Sequence, residues 1–172
     1  MGTLIRFETS EMPAVRVIGK RIRYSMDALM NGDNRLPALW DQCFADGIFE
    51  PLEAAAEHVH DPSYVGVMLD WDKGDGDFTY VCGMLMKPEA ETPDGYVSYP
   101  IDATSVAIGY IQGGGVQDVC GTAHADTEKA LRENGHANAN MRWCMELYNC
   151  PRFTTPDENG QIILDYYIPL DA

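Results

Sequence analysis

The chain is short of positive charge: 12 lysines and arginines stand against 27 aspartates and glutamates, a formal net charge of −15. A surface of that sign repels phosphate backbones and anionic membranes and favours organic cations, which argues against direct nucleic-acid binding. Apolar runs of membrane-spanning length are missing. Met1-Gly-Thr-Leu-Ile-Arg-Phe-Glu8 has no basic stretch followed by an apolar one, so a cytoplasmic location is expected. There is no C-x-x-C pair. The five cysteines (Cys43, Cys82, Cys120, Cys144 and Cys150) are odd in number and mostly fall in core-like positions. They read as reduced thiols, not as a disulfide framework or zinc site. A Gly-Lys-Ser/Thr phosphate loop and a serine nucleophile elbow are also missing, and no cofactor is expected. Low-complexity tracts are absent, and 172 residues with 45% hydrophobic content suffice for one domain spanning 1–172 with a real core.

Elements follow one another in a repeated order. Ala14 to Tyr24 reads as a strand that is basic on one face through Arg21 and Arg23. Leu36, Leu39, Trp40, Cys43 and Phe44 recur at helical spacing, with Pro37 suited to a first turn and Gly47 to a stop. Strands at Tyr64–Trp71 and Phe78–Met86 flank the turn-rich Asp72–Asp77 and should form a hairpin. After the polar link Pro88–Gly95 come a strand at Ile101–Tyr110, a Gly113–Gly115 turn, and a helical face of Val116, Val119, Cys120, Ala123, Thr127, Ala130 and Leu131, with Gly135 as stop. A strand at Met141–Tyr148, a turn at Thr154–Gly160 and a strand at Ile162–Pro169 complete the second half. Strand, helix, strand, strand thus occurs twice, in halves of about 13–87 and 97–170. The fold class expected is α+β: duplicated βαββ halves in a mainly antiparallel sheet, two helices on one face, and a central groove.

Glu146 is the residue that needs explaining, because it interrupts a run of aromatic and apolar residues. Strand alternation places Arg142, Cys144, Glu146 and Tyr148 on one face and Trp143, Met145 and Leu147 on the other. A carboxylate beside a phenol and a thiol on a cleft-lining face would await a cation or a proton donor, since burial penalises an unpaired charge. Cys144, next to this carboxylate, is a poor nucleophile candidate. His58-Val-His60 lacks further ligands for a metal, and Asp70, Asp72, Asp75 and Asp77 lack the order of a calcium loop, so no metal is assigned.

Phe78-Thr-Tyr80 before a glycine-bearing strand, Ile101-Asp-Ala103 before a strand ending at Gly113, Glu146-Leu-Tyr148, and the closing Asp165-Tyr-Tyr-Ile-Pro169 together resemble the GyrI-like (gyrase-inhibitor-like) effector-binding domain family. The resemblance runs from about Pro13 to Leu170. That family includes ligand-sensing domains of multidrug-responsive transcription regulators and a standalone integron-cassette group of cationic-drug binders. It implies a duplicated βαββ fold and an aromatic-lined pocket with a buried glutamate, at the position of Glu146. The chain resembles a standalone module without a helix-turn-helix.

Candidate ligand-binding residues are Glu146, Tyr148, Tyr80, Tyr167, Trp40, Trp71 and Met84. A strand tyrosine such as Tyr148 is also commonly a core edge, and Tyr80 and Tyr167 read equally as pocket wall or core. Trp40 belongs to a helix core stripe whose end can cap a groove, Trp71 could form a lid, and Met84 fits ordinary core filling as well as a pocket that repacks around different ligands. The leading expectation is a sensor or sequestering protein for lipophilic, cationic small molecules. Other standalone members of the family are hydrolases of strained, DNA-alkylating compounds, so a hydrolase is a second reading, with Glu146 as general base and Tyr80 or Tyr148 as proton donor. A third, following the family's name, is an acidic protein partner that inhibits a DNA-associated enzyme.

Overall fold

The chain forms two compact units by its internal contacts, one continuous (Ala14–Asp102) and one split (Met1–Pro13 with Ala103–Ala172). The computed structural model describes residues 1–136 and 142–170, with Asp72 described in its backbone only. Its strands are β1 (Thr3–Met12), β2 (Val15–Ser25), β3 (Val59–Leu69), β4 (Asp77–Met86), β5 (Val97–Ile101), β6 (Thr104–Gly113), β7 (Trp143–Tyr148) and β8 (Ile162–Pro169). Its helices are α1 (Met26–Met30), α2 (Leu36–Ala45), α3 (Glu50–Ala54) and α4 (Val116–Glu133). The architecture is α+β with antiparallel pairing of neighbouring strands.

Within the continuous unit the strand order is β3-β4-β2-β5, and within the split unit it is β7-β8-β6-β1. Each unit therefore uses its βαββ core in the same order, with one further strand pairing to the first strand of that core. Those further strands are exchanged along the chain. β1 precedes the first βαββ run but pairs with β6, and β5 precedes the second but pairs with β2. The sequence halves of about 13–87 and 97–170 thus leave out β1 and assign β5 by chain order to the half with which it does not pair.

Local chemistry accounts for most boundaries. Pro37 sits in the first turn of α2, where a missing N–H costs nothing. Gly135, at φ 77°, follows α4 and accepts the left-handed turn that ends it. The β3–β4 connection reverses through Asp70, Gly74 and Gly76, all at positive φ. Arg23 grips that turn with both Asp75 oxygens at 2.7 Å and with Thr79 Oγ1 at 3.1 Å, and Thr79 in turn donates to Asp70 Oδ2. The aspartate run is thereby held as a turn.

Four expectations change. β1 is an addition to the expected elements, because most of it is exposed and a register shift between Leu4 and Arg6 breaks its alternation. The expected strand Ile101–Tyr110 divides at Asp102–Ala103, its start ending β5 and its remainder opening β6. β3 starts at Val59, upstream of the expected Tyr64, with irregular register around Pro62, a residue that cannot donate to the ladder. It ends at Leu69, and Trp71 opens a short 3-10 turn. The pattern of β7 suggests a half-buried strand, yet Trp143 through Leu147 are all buried, so both faces are covered. Met141, the expected start of that strand, lies outside the described residues.

β4 is buried from Phe78 to Met86 and carries the core of the continuous unit, where Phe78, Tyr80, Cys82, Met84 and Met86 pack with Ile18, Ile48, Leu52 and Cys43. Burying each large side chain contributes about 1.5–3 kcal/mol. Among the described residues no helix is long and apolar enough to cross a membrane. In the split unit α4 lies on the sheet so closely that Gly109 of β6 leaves no room for a side chain. A Cβ there would stand 2.0 Å from Thr127 Oγ1 and 3.1 Å from Leu4 Cδ1. Gly109→Ala should therefore destabilise the protein by about 1–3 kcal/mol by pushing α4 outward. Urea unfolding of the variant checks this, and an unchanged midpoint would show that α4 is not closely seated.

Candidate functional site

The β7–β8 register sets Glu146 opposite Tyr166 and Met145 opposite Tyr167. Cross-strand partners share a face, so Glu146 and Tyr166 point the same way, toward α4. Glu146 is 8% exposed, and its Oε2 accepts a 2.6 Å hydrogen bond from the Tyr148 hydroxyl. Cys120 of α4 reaches the same place. Burial first, and then the Glu146 carboxylate, which accepts from its S–H, push the Cys120 thiol well above the ordinary range. Cys144, on the same strand face, is pushed up to about 12, chiefly by burial, with Glu146 adding to it and the Tyr166 hydroxyl opposing it. Both thiols are therefore held protonated at neutral pH, which suits hydrogen-bond donation and opposes nucleophilic attack.

Tyr166 completes the cluster. Its hydroxyl lies 3.0 Å from Cys144 Sγ and 3.0 Å from His124 Nδ1, and the His124 ring meets it edge-on. Burial raises the Tyr166 pKa well above that of a free phenol, and burial lowers that of His124, with Glu128 pulling weakly the other way. At neutral pH the Cys120 and Cys144 thiols, the Tyr166 phenol and the His124 imidazole beside Glu146 are thus neutral, and the setting is one of low dielectric in which an added charge is felt strongly.

The other predicted residues lie elsewhere. Tyr167 is on the opposite face of the split unit's sheet, away from Glu146. That face also bears the buried Asp165, which accepts from Arg152, and Tyr110, whose ring lies beneath Arg152 and Arg6. Trp40, Trp71, Tyr80 and Met84 belong to the continuous unit and to its own apolar cluster. There Trp40 Nε1 donates to the Tyr80 hydroxyl at 3.0 Å, and Trp40 stacks on Phe49, which stacks on Tyr64 at 3.7 Å. Sequence reasoning missed Tyr166, because adjacent tyrosines cannot be assigned to faces without a register. It counted Cys120 as helix core, and it passed over His124, which stands one helical turn beyond Cys120. That i, i+4 pair was the available signal. Among the described residues, no three His, Cys, Asp or Glu side chains gather as a metal ion would require.

Over residues 6–171 the sequence matches the GyrI-like small molecule binding domain. The chain belongs to the GyrI-like family. Solved structures of the same fold include a putative bacterial transcription regulation protein from Staphylococcus aureus MU50, 11% identical with a TM-score of 0.70, covering 97% of this chain and 99% of that one. A second is SAV2435 bound to tetraphenylphosphonium, at 10% identity and TM-score 0.71, covering 98% and 95%. A third is an integron cassette protein from the mobile metagenome of Vibrio cholerae, at 12% identity and TM-score 0.59, covering 99% of both chains. No curated protein sequence matches the chain. At such identities the likeness to these structures concerns the fold, and the GyrI-like assignment rests on the sequence match.

The lowered pKa of His124 has a signed consequence. Because its folded value lies below the ordinary 6.5, the unfolded chain takes up the proton first on acidification. The stability this group contributes is complete above about pH 6.5 and is lost as pH falls through the folded value. Replacing His124 by Gln should flatten the pH dependence of the urea midpoint as pH falls below about 6.5. An identical slope in both proteins would show that His124 titrates as a free imidazole.

Proposed function

We propose that this GyrI-like chain is a cytoplasmic sensor or sequestering module for lipophilic organic cations, with Glu146 as the charge-recognising group. The observation that carries this reading is the 8% exposed carboxylate seated among Tyr148, Tyr166, Cys120 and Cys144. The tetraphenylphosphonium bound to SAV2435, a structure of the same fold, supports it. Tyr148 and Tyr166 offer aromatic surface, and a cation over such a ring gains roughly 0.5–2 kcal/mol depending on desolvation. A carboxylate in low dielectric attracts the cation more strongly than either ring does, and it repels anions. Trp40 and Trp71, partly buried on the continuous unit's own apolar cluster, are proposed as separate apolar ligand contacts of that unit, backed by the fully buried Tyr80 and Met84. Methionine there would allow repacking around different outlines.

The Tyr148 to Glu146 hydrogen bond also favours a second reading, a hydrolase in which Glu146 activates water and Tyr148 protonates the leaving atom. Glu146→Gln separates the two. As a binder, the variant should lose about tenfold or more in affinity for tetraphenylphosphonium, roughly 1.4 kcal/mol, while binding neutral triphenylphosphine oxide almost as well as the parent does. As a hydrolase, it should keep its affinity for a strained electrophile and lose turnover. Titration calorimetry with both ligands, alongside product analysis, gives the answer. Equal losses for cation and neutral ligand, or none for either, would remove Glu146 from the site.

A further inference from the structure

The loop between β7 and β8 (149–161) is folded on itself. Phe153 N–H donates to the Asn149 carbonyl and Thr155 N–H to the Pro151 carbonyl, both at 2.8 Å. Asp157 closes the far end, its Oδ1 accepting from the N–H groups of Asn159 and Gln161 at 2.8 and 2.9 Å. The near end is tied to β8, where Ile163 N–H donates to the Arg152 carbonyl at 2.9 Å. Two adjacent side chains then leave the loop toward different targets. Arg152 goes to Asp165, a carboxylate at 1% exposure, with Nε on Oδ1 at 2.8 Å and Nη2 on Oδ2, and its guanidinium lies 5.5 Å from the centre of the Tyr110 ring. Phe153 meets the Tyr148 ring edge-on at 4.7 Å, and Tyr148 is the residue whose hydroxyl reaches Glu146. Asp165 pairs with Leu147 and Tyr166 with Glu146, so alternation puts Asp165 on one face of the sheet and Glu146 on the other. Arg152 and Phe153 thus hold the end of this hairpin through both of its faces.

We propose that this loop is a clamp that sets the ligand selectivity of the Glu146 site: Arg152 anchors it on Asp165, and Phe153 keeps Tyr148 where its hydroxyl meets the carboxylate. Both are positioning residues that act through Tyr148. Tyr148 ends its strand partly exposed, so several rotamers are open to it, and the bond to a carboxylate two residues back requires one of them. The edge contact with Phe153 selects that rotamer. Phe153 is itself on a loop, and a loop holds a side chain in place only when the loop is fixed. A guanidinium bound to a carboxylate through two bonds of defined direction supplies that fixing, and the burial of Asp165 shields the pair from salt. An aromatic cation entering the site then meets a carboxylate and a phenol ring already set in one relation, and less side-chain freedom is lost on binding. A neutral ligand, which gains nothing from the carboxylate, depends far less on that relation.

The clamp itself is independent of any ligand, whereas its effect on selectivity rests on the reading of Glu146 as the cation-recognising group. Ring flips of Tyr148, followed by NMR on the tyrosine-labelled full chain, should quicken by about tenfold or more in Phe153→Leu, which keeps apolar bulk and loses the ring edge. Phe153→Tyr should keep the parent's rate. Arg152→Lys, which keeps the charge and gives up the two-bond fork, should also quicken the flips. The double variant should be no faster than Phe153→Leu alone, because both changes act through one contact. Unchanged flips in Phe153→Leu, or additive effects in the double variant, overturn the clamp. For tetraphenylphosphonium, Phe153→Leu should bind about fivefold more weakly and Phe153→Tyr as the parent does, while triphenylphosphine oxide loses less than about twofold in either. Equal losses for the two ligands would overturn the selectivity role. Failure of the parent to bind this cation would count against the reading of Glu146, and the flip rates would then decide the clamp by themselves.

Discussion

A carboxylate inside a strand that is buried on both faces has to be supplied with hydrogen-bond donors, and the arrangement of the split unit answers that demand. Glu146 receives the Tyr148 hydroxyl and stands beside the Cys120 thiol, and the register with β8 sets Tyr166 next to it. The Cys120 thiol at Glu146 and the His124 ring at Tyr166 hold only if α4 lies close to the sheet, because both project from it. The missing side chain at Gly109 lets the helix settle against β6 at Thr127. Site chemistry and helix packing are thus one constraint: a helix pushed outward would leave a buried charge with poorer partners, a loss larger than the packing change alone.

The two thiol environments are distinguished by what surrounds them. Near Glu146 a negative charge and burial keep Cys120 and Cys144 protonated, and protonated thiols serve as weak donors. In the continuous unit Cys43 and Cys82 lie buried in an apolar cluster instead. Composition counts them alike as small, buried, reduced residues. Their neighbours give them different chemistry.

The exchange of β1 and β5 between the two runs of the chain has an energetic meaning. Each unit depends on a strand that lies next to the other unit's βαββ run in sequence, so neither run completes its own sheet. The continuous unit nevertheless holds all four of its strands within Ala14–Asp102, whereas the split unit is finished only when β1 pairs with β6 across that whole intervening stretch of sequence, the pairing with the larger loop-closure cost.

Local rules determined much of this protein. Helical spacing with Pro37 and Gly135 marked α2 and the end of α4, the aspartate- and glycine-rich turn marked the β3–β4 hairpin, and the order of elements with four short motifs pointed to the GyrI-like fold. Glu146 stood out because a charge in an apolar strand violates the expected pattern, and such violations are visible without coordinates. Tertiary structure decided the rest. It placed β1, which is too exposed and irregular to show alternation, and it divided the run at Asp102–Ala103 between β5 and β6, which pair with different strands. It also set Tyr166 on the Glu146 face and Tyr167 on the other, since a one-residue difference in register reverses the face and no local preference separates two adjacent tyrosines. Finally, it brought Trp40 to Tyr80 and Cys120 to Glu146, contacts between residues far apart in sequence that arise only when a helix is laid on a sheet.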